Sequence, residues 1–346
     1  MKRHILLSLF LITLTSNVFS QHGGKLIAHR DTVHNGYNFW LYLPQNDVVE
    51  ANDSMPARID SLSQKKPLII FLHGNSLCGR DLYRVRRYGC IDAIEKGRDI
   101  DAVILAPQNP GGSWNPQRIF NVMNFTIQHH NIDTTRIYVV GMSLGGYGTM
   151  DFVGTYPEKI AAAIALCGGC TLPNFSGLSR VPLWIVHGTA DRAVGVKNSQ
   201  AVADGIAATG FDSLLIFTKL KGASHSKLAK IFYMPQTYDW LFKHSLADSV
   251  RTVNRDYVYT NENLIHAYQG ISSKGNRFTV IDDHKCEQSQ YTAENAQTVV
   301  YVVRNGDTLG AIARKTHTSV NHICKLNRIK STSLLHIGQR LKVRSI

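Results

Sequence analysis

The stretch Ile137-Tyr-Val-Val-Gly141-Met-Ser143-Leu-Gly145-Gly-Tyr-Gly148 restricts the possible folds of this chain more than any other. An apolar, β-branched run leads into Gly-x-Ser-x-Gly, and a segment rich in small residues follows. The chemistry of a nucleophilic serine accounts for the spacing. The serine sits on a strained strand-to-helix turn, and glycines two before and two after it remove side chains that would clash. The helix N-terminus and the backbone N–H of Leu144 then face the oxygen of a tetrahedral intermediate. Ser143 is therefore the expected nucleophile.

Such a serine needs a base and a group to orient that base. Where the serine lies on an elbow of this kind, they follow later in the chain, acid first and histidine second. Val186-His-Gly-Thr-Ala-Asp191-Arg-Ala-Val194 places Asp191 on a tight turn after an apolar run, 48 residues past Ser143. Lys221-Gly-Ala-Ser-His225-Ser226 follows the next run, 34 residues further on. His225 takes the serine proton in this reading, and Asp191 fixes its tautomer and stabilises the imidazolium. Ile70-Phe-Leu-His73-Gly74-Asn75 ends another apolar run in His-Gly, where the second oxyanion donor belongs. That donor is assigned to the N–H of Asn75, with His73 as a support for the loop. Trp114, in Gly111-Gly-Ser-Trp114-Asn, is a candidate for the wall of the substrate cleft.

Between Pro67 and Phe242, apolar runs of about five residues alternate with helix-length segments: 68–72, 102–106, 137–140, 160–166, 183–186 and 214–217. This spacing predicts an α/β fold with a mostly parallel sheet and crossover helices on both faces. Residues 67–245 resemble the α/β-hydrolase superfamily, in particular its compact esterases: phospholipase/carboxylesterases, dienelactone hydrolases, and the feruloyl-esterase-like "predicted peptidases". The residues that carry the likeness are Phe71-Leu-His-Gly74, Pro107-Gln-Asn-Pro110 with Trp114, Gly141-Met-Ser-Leu-Gly145, His187-Gly-Thr-Ala-Asp191 and Ser224-His225. The resemblance implies cleavage of carboxylic esters through an acyl-enzyme, with no metal and no cofactor. Only about forty residues separate the nucleophile from the strand leading to Asp191, which leaves little room for a large lid and disfavours a membrane lipase.

The last 48 residues form a second patterned unit. Tyr301-Val-Val-Arg-Asn-Gly306-Asp307-Thr308-Leu309 is followed by Ile312-Ala313, Leu326-Asn327 and Leu335-His-Ile-Gly338-Gln-Arg-Leu341-Lys-Val343. Asp307 or Thr308 can cap a helix whose apolar side is Leu309, Ile312 and Ala313, and 339–343 alternates as a strand. The unit resembles a LysM module, which implies a small βααβ domain that binds N-acetylglucosamine glycans such as peptidoglycan or chitin. In that family the sugar groove lies between the loop after the first strand and the loop after the second helix. Here those loops are Gly306, Asp307, Thr308 and Leu309 on one side and Asn327, Arg328 and Ile329 on the other.

The remaining features set the context. Lys2, Arg3 and His4 precede the short apolar run 5–14, with Val18 and Ser20 placed for cleavage before Gln21, the pattern of an export signal. A run of ten residues is too short to span a bilayer, which needs about twenty apolar residues, and no later segment is long and apolar enough. The net charge of +13 is concentrated at the C-terminus, where residues 299–346 hold nine Lys/Arg against the single acid Asp307, a net +8. For an exported chain this suggests an anionic wall polymer or membrane surface rather than nucleic acid, with a solvated basic face as the third reading. The six cysteines are scattered and show no zinc-site spacing; Cys167-Gly-Gly-Cys170 reads as a buried thiol pair or a local disulfide.

Four segments are expected: a signal peptide over 1–20, an α/β-hydrolase domain over 21–248, a polar linker over 249–297 with a short hairpin near 278–281, and the LysM domain over 298–346. The functional reading is a secreted or periplasmic serine carboxylesterase, targeted to peptidoglycan or a related glycan. Two readings stand beside it: a serine peptidase on the same scaffold, and a glycan-binding protein whose hydrolase domain is non-catalytic.

Overall fold

The apolar runs become strands, fully buried within the sheet and half-buried in the run 214–217 at its edge. The computed structural model describes residues 24–44, 64–271, 278–282 and 298–345, apart from 305, 317, 319, 328, 332 and 334. The expected export signal lies outside these residues. The chain divides into two units at Ile281/Asp282.

The first unit is built on a nine-stranded sheet: β1 (Gly24–His29), β2 (Asn38–Leu43), β3 (Lys66–Leu72), β4 (Val103–Gln108), β5 (Ile132–Met142), β6 (Ala162–Leu166), β7 (Leu183–Gly188), β8 (Leu215–Leu220) and β9 (Phe278–Ile281). The spatial order is β8-β7-β6-β5-β3-β4-β2-β1-β9. Strands β3 to β8 pair in parallel, while β2 runs antiparallel to both β1 and β4. This is the sheet order and direction of the α/β-hydrolase fold.

Alternate residues along each strand feed opposite cores. Ile69, Phe71, Tyr138, Val140, Ile164, Trp184 and Val186 meet helices α1 (Cys90–Glu95), α5 (Pro235–Phe242) and α6 (Asn261–Ile265) on one face. Leu68, Ile70, Val139, Ala163, Leu183 and Ile185 meet α2 (Pro116–His129), α3 (Leu144–Thr155) and α4 (Lys197–Ala208) on the other. Full burial of one such side chain contributes about 1.5–3 kcal/mol. Helix α2 starts where its sequence dictates: Pro116 occupies the first turn, and the Asn115 side chain accepts the N–H of Arg118 at 3.1 Å.

The polar stretch after residue 248 departs from the expected linker. Arg251 donates to the carbonyls of Ile160 at 2.9 Å, Ala161 at 2.6 Å and Arg180 at 2.7 Å. Tyr259 is buried and stacks on Trp184 at 4.1 Å. Among the described residues, 278–281 pair not with a hairpin partner but with β1, in parallel, adding β9 to the sheet edge. Few anchors in a polar background suffice, so average composition misrepresents the segment.

In the second unit β10 (Thr298–Val302) and β11 (Arg340–Ser345) pair antiparallel around the helices Leu309–Lys315 and Val320–Asn327. Val303, Leu309, Ile312, Ala313, Ile323, Leu341 and Val343 form its core.

Candidate active site

The elbow has the geometry its glycines predict. Ser143 has φ 60° and ψ −121°, a left-handed conformation that a residue with a side chain adopts only under strain. A Cβ on Gly145 would lie 1.8 Å from the carbonyl oxygen of Leu72, and one on Gly141 would lie 2.2 Å from that of Gly145. Neither position accepts a side chain, so the motif follows from close backbone approach at the turn. Ser143 and Leu144 remain half-buried at the open edge of the sheet.

Asp191 and His225 meet in the loops after β7 and β8. Nδ1 of His225 lies 2.6 Å from Oδ2 of Asp191; the carboxylate is fully enclosed, whereas the imidazole is a quarter exposed. The other carboxylate oxygen accepts the N–H groups of Ala193 and Val194, each at 2.9 Å. Burial alone would raise the Asp191 pKa, but the hydrogen bonds from Val194, His225 and Ala193 outweigh it, so the pKa is lowered and the group stays ionised. An anion paired with Nδ1–H leaves Nε2 as the basic nitrogen.

Cys167 borders both Ser143 and this pair. That residue is fully buried at the end of β6, with φ 40°. Its thiol lies against the backbone of Ser143, and its sulfur is within 4.8 Å of the ligand atoms of Asp191 and His225. No hydrogen bond joins Ser143 Oγ to His225 among the described residues; such bonds commonly tighten only when substrate is bound. The Cys167–Asp191–His225 cluster resembles a metal site in composition. Its groups are engaged otherwise: Asp191 accepts from His225 Nδ1 and from the N–H groups of Ala193 and Val194, and burial favours the protonated thiol of Cys167. Of the two readings of Cys167 and Cys170, the structure has the thiol pair and not the local disulfide, with Cys167 buried and Cys170 half-buried. Burial pushes the Cys167 thiol pKa up strongly and that of Cys170 to about 12.

The two N–H groups expected to hold an oxyanion lie on either side of the close approach between Gly74 and Ser143. Asn75 opens the short 3-10 helix Asn75–Leu77, and Leu144 opens α3, so neither N–H has an acceptor within its own helix. A Cβ on Gly74 would stand 3.3 Å from Cβ of Ser143, which places this loop beside the nucleophile. His73 is fully buried; it accepts the N–H of Asn109 at Nε2 (3.0 Å) and donates from Nδ1 to the carbonyl of Gly74 (2.8 Å). Burial drives its pKa down to about 4, so it is a neutral brace.

Three residues that sequence reasoning passed over support the site. The hydroxyl of Tyr88 accepts the N–H of Gly74 at 2.6 Å, and burial raises the phenol pKa to about 12. His187 is buried under Asp191, with its ring nitrogens 2.7 Å from Ser199 Oγ and 2.8 Å from the carbonyl of Val194. Cys167 is the third. Its place was readable, since it ends the apolar run beside the nucleophile's strand. Tyr88 carries no local signal.

Trp114 does not line an open cleft. It is 3% exposed, packs on the backbone of Gly148, and donates its indole N–H to the carbonyl of His73 at 3.2 Å. It braces the oxyanion loop from behind.

In the C-terminal unit, several expected groove residues serve the fold instead. The Asp307 carboxylate accepts from Tyr301 Oη, Arg304 N–H and Lys315 Nζ, each at 2.9 Å. The Asn327 side chain donates to the carbonyls of Ile323 and Lys342 and accepts the N–H of Lys342. Leu309 is in the core, and Thr308 Oγ1 caps the first helix by accepting the N–H of Ala311. Gly306 and Thr308 are exposed, Ile329 is half-buried, and Arg328 lies outside the described residues.

Comparison with known proteins agrees with this division. Residues 301–344 match the family model of the LysM domain. The chain is 33% identical over 86 residues to a probable acetylxylan esterase A of Neosartorya fischeri, covering 25% of this chain and 23% of that protein. It is 31% identical over 121 residues to feruloyl esterase B of Neurospora crassa, covering 32% and 41%. The chain thus spans well under half the length of these curated relatives. Among solved structures, a thermostable esterase aligns with TM-score 0.48 and 23% identity over 64% of this chain and 63% of its own. The order and directions of its own strands give the first unit the α/β-hydrolase fold, and residues 301–344 form a LysM domain.

Proposed function

We propose that this protein is a secreted or periplasmic serine carboxylesterase that acts on esters of cell-wall or related glycans. The observation that carries the reading is the enclosed, ionised Asp191 paired with His225 beside a serine held in elbow geometry. Ser143 Oγ attacks the ester carbonyl carbon while His225 Nε2 takes its proton. The N–H groups of Asn75 and Leu144 hold the resulting oxyanion. Collapse breaks the bond to the alcohol, which leaves with the proton from His225, and an acyl-serine remains. Water then attacks that acyl group, His225 takes the water's proton and returns it to Ser143, and the acid departs.

An ester is favoured over a peptide because the named relatives are esterases. The LysM domain supports binding to N-acetylglucosamine glycans, through the exposed Gly306–Thr308 edge and Ile329. A single module of this kind raises local substrate concentration. No described helix is long and apolar enough to cross a membrane. The test is labelling with a fluorophosphonate probe, followed by a panel of p-nitrophenyl esters beside matched amides. Labelling of Ser143 with ester turnover is expected. Labelling with amide turnover alone would make the protein a peptidase, and no labelling would leave the fold as a scaffold.

A further inference from the structure

We propose that a largely polar cleft on the same sheet edge as Ser143 is the subsite for the glycan chain of the ester, so that the substrate is an acylated oligo- or polysaccharide. This rests on the esterase reading above. The cleft has a volume of about 610 Å³, and its walls include Asp31, Asn35, Asn38, Arg80, Gln108 and Arg118.

Its position follows from the sheet. β1 ends, β2 begins and β4 ends on the edge that carries Ser143, because β2 runs antiparallel to both neighbours. The β1–β2 loop, the loop after β3 and the end of β4 enclose the space. Hydrogen bonds tie the cleft to the oxyanion loop: Gly79 donates to the carbonyl of Asn109 at 3.1 Å, and Asn109 donates to His73 at 3.0 Å. Two to three strand spacings separate β5 from the β4/β2 pair, on the order of 10–15 Å. A small ester held at Ser143 does not reach that far, whereas a chain of linked sugar rings does.

The cleft is also held in shape. Among the described residues, four non-glycine positions have φ in the left-handed region. Ser143 and Cys167 belong to the nucleophile; Asp31 and Asn35 line this cleft. Arg118 fixes the β1–β2 loop by donating to the carbonyl of Gly36 and packing 4.1 Å over the Tyr37 ring, and Asn121 holds the carbonyl of Asn35 at 2.9 Å. Arg80 is exposed and lies in ion-pair range of no carboxylate among the described residues. Amides, a carboxylate and a free guanidinium beside Val33 and Pro110 suit sugar rings, which offer hydroxyl groups and C–H faces together; a long alkyl or aryl alcohol would leave the polar groups unpaired.

The test uses the full chain and compares p-nitrophenyl acetate with O-acetylated oligosaccharides of one, two and four rings, in the xylose and N-acetylglucosamine series. For the wild type, kcat/KM should rise with chain length in at least one series. Arg80→Ala should reduce the selectivity for the tetramer over p-nitrophenyl acetate by about tenfold, mostly through KM, as one charge-assisted hydrogen bond is lost. Absence of a length effect in both series, or an equal loss on every substrate, overturns the subsite. If p-nitrophenyl acetate itself is not hydrolysed, the esterase reading fails separately. Tetramer binding to Ser143→Ala, with and without Arg80→Ala, then decides the subsite: weaker binding in the double variant supports it, and equal binding overturns it.

Discussion

The hydroxyl of Tyr88 accepts the backbone N–H of Gly74 at 2.6 Å, one residue before the N–H assigned to the oxyanion. The bond spans the turn from β3 toward α1 and sets the direction of the next peptide. Tyr88→Phe keeps the ring and leaves that N–H without its acceptor. A fall in kcat of about tenfold or more is expected, since removal of an oxyanion donor outright costs about a hundred- to thousandfold, with a smaller change in KM. Steady-state kinetics on p-nitrophenyl esters measure it; a change confined to KM would mean that Tyr88 does not aim the oxyanion loop.

Ser143→Ala should reduce ester turnover by about four to six orders of magnitude while the fold and glycan retention persist. Circular dichroism and a glycan pull-down serve as the controls. Substantial residual activity would place the nucleophile elsewhere.

Asp191→Asn should lower kcat by about ten-thousand-fold, because an amide no longer fixes the His225 tautomer. The amide also meets the N–H groups of Ala193 and Val194 with a weaker acceptor. Kinetics with a harmless Asn variant would assign the base to another residue.

Two truncations separate linker from fold. A chain ending at residue 297 keeps β9 and should turn over a soluble ester almost as the full chain does, but be retained poorly on insoluble peptidoglycan. High salt should weaken retention of the full chain only partly, because salt screens the +8 charge of residues 299–346 but not their other contacts. A chain ending at residue 248 loses Arg251, Tyr259 and β9, and should unfold at a markedly lower temperature. Equal thermal stability of the two truncations would contradict the role given to 249–281.

Acid should loosen the LysM domain through Asp307. The N–H of Arg304, then Lys315 and Tyr301, hold its pKa down from 3.8 to about 2. A depressed carboxylate contributes stability that is full above the unfolded value and disappears as pH falls through the folded one. The stability gap between wild type and Asp307→Asn should therefore be widest above about pH 4 and shrink toward pH 2. Thermal melts of the full chain across that range measure the gap; a constant gap would mean that the carboxylate's charge does not matter.

Local backbone geometry was legible in the sequence, because it depends on residues close together in the chain. Gly141 and Gly145 flank Ser143 since a Cβ at either position would collide with backbone at the turn, and the continuous apolar runs announced strands covered on both faces. The order serine, acid, histidine placed Asp191 and His225 on neighbouring strand ends, where they meet. Only tertiary structure decided which side chains are used up in supporting the fold. Trp114 turned inward to the carbonyl of His73, and Asn327 to β11, because buried polar groups must find partners wherever packing brings them. The segment 249–281 reads as a tether by composition, yet Arg251 and Tyr259 dock it on carbonyls and a ring that lie far away in sequence. Tyr88 likewise had no spacing to announce it, since its partner is an ordinary backbone N–H that only folding brings within reach.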